Sequence, residues 1–286
     1  MNFRSDLALE CREPLDRAGQ RGLRCDEEEH EGCRLTRLEV LDEIGAKAIG
    51  KPVGAYVTVE LPPLGEYAQV YGPGMERVAE ELRRMLPGEG PVLVVGLGND
   101  SMTPDALGPR CCSLVLATRH IAGELARSAG LGSLRPVCCL TPGVLGRTGM
   151  ESAELVAAAV GETQPAAVLT VDALAARKLS RLGCTIQLGD SGIVPGSGVG
   201  NARRELSRRT LGVPVISMGV PTVVDAATLV ADLAQAPEPP AESEGMMVTP
   251  REVDLLIDRA AKLCAMAINR ALQPHLDVED FLELVE

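Results

Sequence analysis

The feature that most limits what this chain can fold into is the run Val92-Leu93-Val94-Val95, which ends abruptly in Gly96-Leu97-Gly98-Asn99. Short, wholly apolar, largely β-branched runs form strands covered on both faces, because a half-exposed strand alternates apolar with polar residues. Similar runs recur at 137–140, 166–171 and 213–218, with a shorter one at 186–188. Between them the spacing turns helical, at 107–120, 152–160 and 222–234, and an earlier amphipathic segment covers 74–86. Buried strands alternating with helices require a largely parallel sheet between helical layers. The expected fold is therefore a three-layer α/β/α sandwich with a largely parallel central sheet. Half-buried N-terminal strands at 35–42 and 55–61 add to it, as does a C-terminal helix opened by Thr249-Pro250 and running to about Leu272.

The chain has 286 residues and a formal charge of −12, from 28 basic and 40 acidic side chains. With three Tyr, two Phe and no Trp, its core must be aliphatic. The acidic balance excludes nucleic-acid binding by phosphate neutralisation, and the lack of aromatics excludes base-stacking platforms. Nine Cys, an odd number with two adjacent pairs and no CxxC, read as reduced and mostly buried thiols rather than a disulfide scaffold or zinc ribbon. No stretch approaches the roughly 20 apolar residues of a membrane helix, and the N-terminus lacks a signal-peptide core. A soluble cytoplasmic protein without a membrane partner is expected. The acidic cluster at 26–29 reads as a solvated loop, and the Pro/Glu-rich stretch 235–245 as a flexible segment.

Sites in open parallel sheets form at the carboxyl ends of the strands. Asp172 ends the predicted strand at 166–171, Asp105 lies in the loop after 92–95, and Asp225 falls in the first turn of the helix predicted after 213–218. Two carboxyls held close cannot both ionise easily, so such a pair shares a proton, activates water and protonates a leaving amine. Each aspartate alone also reads as a helix cap or loop acceptor, Asp225 most readily. Ser152 is placed to cap the helix at 152–160, with Glu151 and Glu154 suiting its positive end. The Gly96–Asn99 turn fails as a dinucleotide fingerprint: the next glycine comes only at 108, and Asp105 would repel a phosphate. The glycines from Gly196 to Gly200 lack a P-loop ending and suit close backbone approach to a substrate. Ser197 has no nucleophile elbow, and none of His30, His120 and His275 lies in a strand-end loop to serve as base or zinc ligand.

Seven segments in series resemble the germination protease, or spore protease, family of endospore-forming bacteria. They are Gly96-Leu97-Gly98-Asn99, Thr103–Pro109, Thr118-Arg119-His120, Thr148-Gly149-Met150-Glu151, Val171–Arg177, Pro195–Asn201 and Gly219–Ala226. The N-terminal Phe3–Glu10 and the late Met247-Val248-Thr249-Pro250 are similar as well. The resemblance implies an atypical aspartic endopeptidase, made as a zymogen, that degrades small acid-soluble spore proteins during germination and forms a homotetramer in the spore core. It places the catalytic pair on Asp105 and Asp172, and it makes residues 1–6 a propeptide cut between Asp6 and Leu7, ahead of a single peptidase domain at 7–286. Asn99, Glu151, Ser197, Gly198 and Asp225 would support the substrate site; no cofactor and no metal is implied. The family is also similar in fold to hydrogenase maturation proteases, which leaves a metal-assisted protease as one alternative. A non-catalytic binding module for a basic peptide is another.

Overall fold

The computed structural model describes residues 5–16, 19–66, 70–121, 123–128, 131–197, 203–234, 243 and 245–285. The strands are β1 (Leu23–His30), β2 (Cys33–Val40), β3 (Gly54–Glu60), β4 (Val92–Gly96), β5 (Val137–Leu140), β6 (Ala167–Ala176), β7 (Thr185–Gly189), β8 (Val215–Asp225) and β9 (Met247–Val248). The helices are α1 (Ala8–Arg12), α2 (Glu43–Ile49), α3 (Pro73–Met85), α4 (Leu107–Ser113), α5 (Gly123–Ser128), α6 (Leu145–Thr148), α7 (Ser152–Thr163), α8 (Arg208–Leu211), α9 (Ala226–Ala234), α10 (Val253–Leu272) and α11 (Val278–Val285).

All these strands join one sheet in the order β1-β2-β3-β7-β8-β6-β4-β5, with β9 on the far end of β8. The segment β8-β6-β4-β5 is parallel. The N-terminal strands join it antiparallel through β7. The apolar runs behave as strands covered on both faces. Val92 and Val94 of β4 pack with α3, α4 and α10, whereas Leu93 and Val95 point to the opposite layer with Val156 of α7. The core is aliphatic, with Phe281 the one buried phenylalanine among the described residues.

Several expectations shift at element ends. The strand expected to stop at Asp172 continues to Ala176, because β8 stays paired with it across a register shift at Leu174/Ala175. β8 likewise extends to Asp225, where β9 pairs Val224 and Asp225, so the helix expected from Thr222 begins at Ala226. The helix expected at 107–120 ends at Ser113, and α10 begins at Val253 rather than beside Pro250, the Thr249 hydroxyl donating instead to Thr222 O at 3.0 Å. The residue at the N-cap of α7 is Glu151, and the Ser152 hydroxyl donates to Gly143 O at 3.0 Å. The acidic cluster at 26–29 is strand, not loop. Asp and Glu are poor strand formers, but here arginines offset them: Arg37 lies 2.7 Å from Glu28 and from buried Glu81, and Arg77 also pairs with Glu28. Most of 235–245 and residues 1–4 of the expected propeptide lie outside the described residues.

Where β4 ends, α4 comes down onto the sheet through Gly108. A Cβ there would sit 2.2 Å from Leu97 O and 2.4 Å from Val171 O, both rigid backbone. Gly161 in α7, by contrast, has open space around a built Cβ. Alanine is favoured over glycine inside a helix by about 1 kcal/mol, so the two sites predict opposite signs. Gly161→Ala should gain roughly 0.5–1 kcal/mol in urea unfolding. Gly108→Ala should lose about 2 kcal/mol or more, as overpacking forces α4 off the sheet.

Candidate active site

From β4 the chain crosses to edge strand β5, and from β6 it leads the other way, toward β8. The sheet order thus reverses between β4 and β6, the place where a crevice forms in open α/β sheets. β4 pairs with β6 only as far as Gly96–Val171, and Leu97 adds one last bond to Val171 O at 2.8 Å. Asp172 is the next residue on β6. It is mid-strand, but its neighbour on the β4 side has ended, so its side chain faces a cleft of about 800 Å3.

Asp105 reaches the same cleft from the loop after β4. The Asn99 N–H donates both to Asp105 O, at 3.1 Å, and to its Oδ2, at 2.9 Å. Gly98 makes this closure possible, with φ at +111° and a position where a Cβ would lie 2.1 Å from Asp105 O. A 3-10 turn at Thr103–Asp105 aims the carboxyl, and the Thr222 hydroxyl of β8 donates to Pro104 O at 2.7 Å to hold that turn.

The two carboxyls share a charge problem. Burial raises the Asp105 pKa, and the Asn99 N–H opposes the rise. Asp172 is 6% exposed. Burial lifts its pKa well above the ordinary range, the negative charges of Asp105 and Asp6 push it further, and only the Ala173 N–H, 2.9 Å from Oδ1, acts the other way. Both shifts run upward, and the more deeply buried Asp172, which also faces two other carboxylates, is the more strongly raised of the two.

The N-terminal segment lies across this cleft. Asp6 N donates to Ala175 O at 2.9 Å, and its carboxylate accepts from Ala175 N at 2.9 Å and from the Ser197 hydroxyl at 3.2 Å. Leu7 is fully buried against Leu174, Ala176 and Val224. α1 then anchors the segment: the buried carboxylate of Glu10 accepts from Arg177 N at 2.7 Å and Lys178 N at 2.9 Å. The Arg181 guanidinium lies between Glu10, Glu13 and Glu60.

The structure therefore brings Asp105, Asp172, Asp6, Asn99, Glu151 and Ser197 to one cleft. Asp225 is elsewhere: its Oδ1 accepts from Thr228 N at 2.9 Å and Thr228 Oγ1 at 2.8 Å, capping α9, and it does not line the cleft. Gly198 lies outside the described residues. Gln187, Tyr56 and Lys51 also line the cleft and escaped the sequence reading. For Gln187 a signal existed: it is the one polar residue between Ile186 and Leu188, which are both fully buried. Among the described residues no cluster of three or more His, Cys, Asp or Glu is arranged to hold a metal, and all nine cysteines are free thiols. No helix there is long and apolar enough to cross a membrane.

Residues 6–235 match the peptidase family described as Germination protease. Among curated relatives, the germination protease of Caldanaerobacter subterraneus subsp. tengcongensis is 41% identical over 323 aligned positions, covering 100% of this chain and 98% of that protein. That of Clostridium acetobutylicum is 38% identical, covering 99% of each. That of Priestia megaterium is 42% identical over 81% of this chain and 66% of its own length. Among solved structures, a NiFe hydrogenase maturation protease, HycI from Thermococcus kodakarensis KOD1, aligns with a TM-score of 0.40 and 19% identity, over 67% of this chain and 98% of that one.

A carboxyl whose folded pKa is raised adds stability in acid, and that stability is lost as pH rises through the folded pKa. Asp172→Asn removes the ionisation and keeps the shape. It should melt higher than wild type at about pH 8 and no higher at about pH 3.5, below the ordinary carboxylate range. Each 1 kcal/mol gained reads as roughly 2–4 °C in a chain near this size. Asp105→Asn, less deeply buried, should show the same sign with a smaller shift.

Proposed function

The chain belongs to the germination protease family and is a protease, and from that premise we infer that it is an aspartic-type endopeptidase that first cuts itself between Asp6 and Leu7. The observation that carries this reading is the position of Asp6, bonded to β6 within the cleft that holds Asp105 and Asp172. That shared cleft is what supports self-cleavage as the first cut. Asp105, ionised, takes a proton from water; water oxygen attacks the Asp6 carbonyl carbon; Asp172, protonated, gives its proton to the Leu7 nitrogen as the C–N bond breaks. The products are a free carboxylate on Asp6 and a free amine on Leu7. Proton exchange between the two carboxyls restores the starting state.

After the cut, residues 1–6 are no longer joined to α1, and the non-primed side of the cleft is free for a substrate in trans. The substrates proposed are the small acid-soluble spore proteins, with the chain acting as a homotetramer in the spore cytoplasm, as its family resemblance implies. The Ser197 hydroxyl and Ala175 N–H, which bind the Asp6 carboxylate, are suited to an acidic residue before the cut bond.

Mass analysis of the N-terminus after mild acidification tests the reading. Wild type should lose residues 1–6 and begin at Leu7. Asp105→Asn and Asp172→Asn should each slow the cut by at least roughly 100-fold, the lower end of what a general acid or base contributes. Because the pair must carry one proton, the wild-type rate should fall on both sides of the window between its two titrations. Full cleavage in either variant would remove that residue from the mechanism.

A further inference from the structure

Gln187 is placed to do more than line the cleft. On β8, Gly219 is paired on one side with Asp172 of β6 and on the other with Gln187 of β7. The three residues form one row across the sheet. Adjacent strands are about 4.8 Å apart, so Asp172 and Gln187 stand roughly 9–10 Å apart with a glycine between them. The Leu174 side chain covers that glycine, its Cγ 2.5 Å from where a Gly219 Cβ would lie. Both side chains face the cleft.

The Asp6–Leu7–Ala8 segment passes beside this row, and the Gln187 amide grips it at two points. Its Nε2 donates to Asp6 O at 2.9 Å, and its Oε1 accepts from Ala8 N at 2.7 Å. The side-chain amide thus mimics a strand partner for the segment, with one donor on the carbonyl before Leu7 and one acceptor on the amide after it. This contact also fixes the amide orientation: only a donor satisfies the carbonyl, and only an acceptor satisfies the N–H.

On the reading of the Asp105–Asp172 pair given above, we propose that Gln187 is a catalytic residue that polarises the Asp6 carbonyl and holds the oxyanion formed on it. As water attacks the carbonyl carbon, the C=O electron pair moves onto Asp6 O, which already carries the Nε2–H bond. The oxyanion then collapses, reforming C=O and expelling the Leu7 nitrogen with its proton from the carboxyl pair. Gln187 thus meets the developing charge, while Asp105 takes the proton of the attacking water and Asp172 supplies the proton to the leaving nitrogen. A fixed donor aimed where charge develops is often the largest single electrostatic contribution in acyl transfer, worth roughly 100- to 1,000-fold in rate.

The test is the rate of self-cleavage of the full chain across pH, followed by mass, in wild type, Gln187→Ala, Gln187→Leu, Gln187→Glu and Asp172→Asn. Circular dichroism melts identify the variants that fold. Gln187→Leu keeps the volume and loses the donor; it and Gln187→Ala should cut roughly 100- to 1,000-fold slower than wild type at every pH. Glutamate is a donor only when protonated. Gln187→Glu should therefore be as slow as Gln187→Ala at neutral pH and recover toward the wild-type rate as pH falls through its own titration, a recovery that a packing role would not produce. Wild-type rates in Gln187→Ala and Gln187→Leu overturn the proposal and leave the aspartate pair standing. A Gln187→Glu chain that stays slow at every pH also overturns it. A wild-type chain that does not cut, like Asp172→Asn, overturns both readings together.

Discussion

Asp172 is a carboxyl group almost out of reach of water, with two further carboxyls beside it. Burying an ionised carboxylate without a partner costs several kcal/mol, so this site favours the protonated form. β4 stops one residue short of Asp172, which opens the cleft on one side. Gly108 lets α4 approach closely enough to close the core beneath it, and Gly219 on the other side presents no side chain of its own, a Cβ there meeting Leu174 Cγ at 2.5 Å. Both glycines are explained by proximity alone, since neither has a left-handed backbone.

The N-terminal segment is tied to this arrangement from both sides. Asp6 raises the pKa of Asp172 through its charge, while β6 binds Asp6 through its backbone. Leu7 and Glu10 carry the anchoring, one by apolar burial and the other by accepting two backbone N–H groups at the end of β6. The segment is thus part of the wall of the cleft and not an appendage laid over it. Loss of residues 1–6 would leave the Leu7 contacts and α1 in the chain.

Much of this was legible in the residues. The apolar runs at 92–95 and 137–140 are strands, the Gly96–Asn99 turn does position Asp105, and Asp225 does cap a helix. What could not be read was set by pairing between distant segments. Nothing local says that β6 runs on past Asp172, because β8 keeps it paired. Nothing local makes Asp26–Glu29 a strand, because the arginines that offset its charge come from β2 and α3. Gln187 was hidden for a related reason. A single polar residue in a strand gains meaning only when its row partners are known, and those lie 15 and 32 positions away, at Asp172 and Gly219.

The scarcity of aromatic side chains has a practical consequence. Tyr56 stands at the cleft wall, 5% exposed, its hydroxyl 2.9 Å from Pro52 O and 2.8 Å from Ser191 Oγ, and burial pushes its phenol up to about 12. It stays un-ionised throughout the range in which the carboxyls titrate. With no tryptophan anywhere in the chain, its emission has no native acceptor. A peptide carrying one indole would bring the only such group into the system, and energy transfer from Tyr56 would report its arrival in the cleft optically, without a label on the protein.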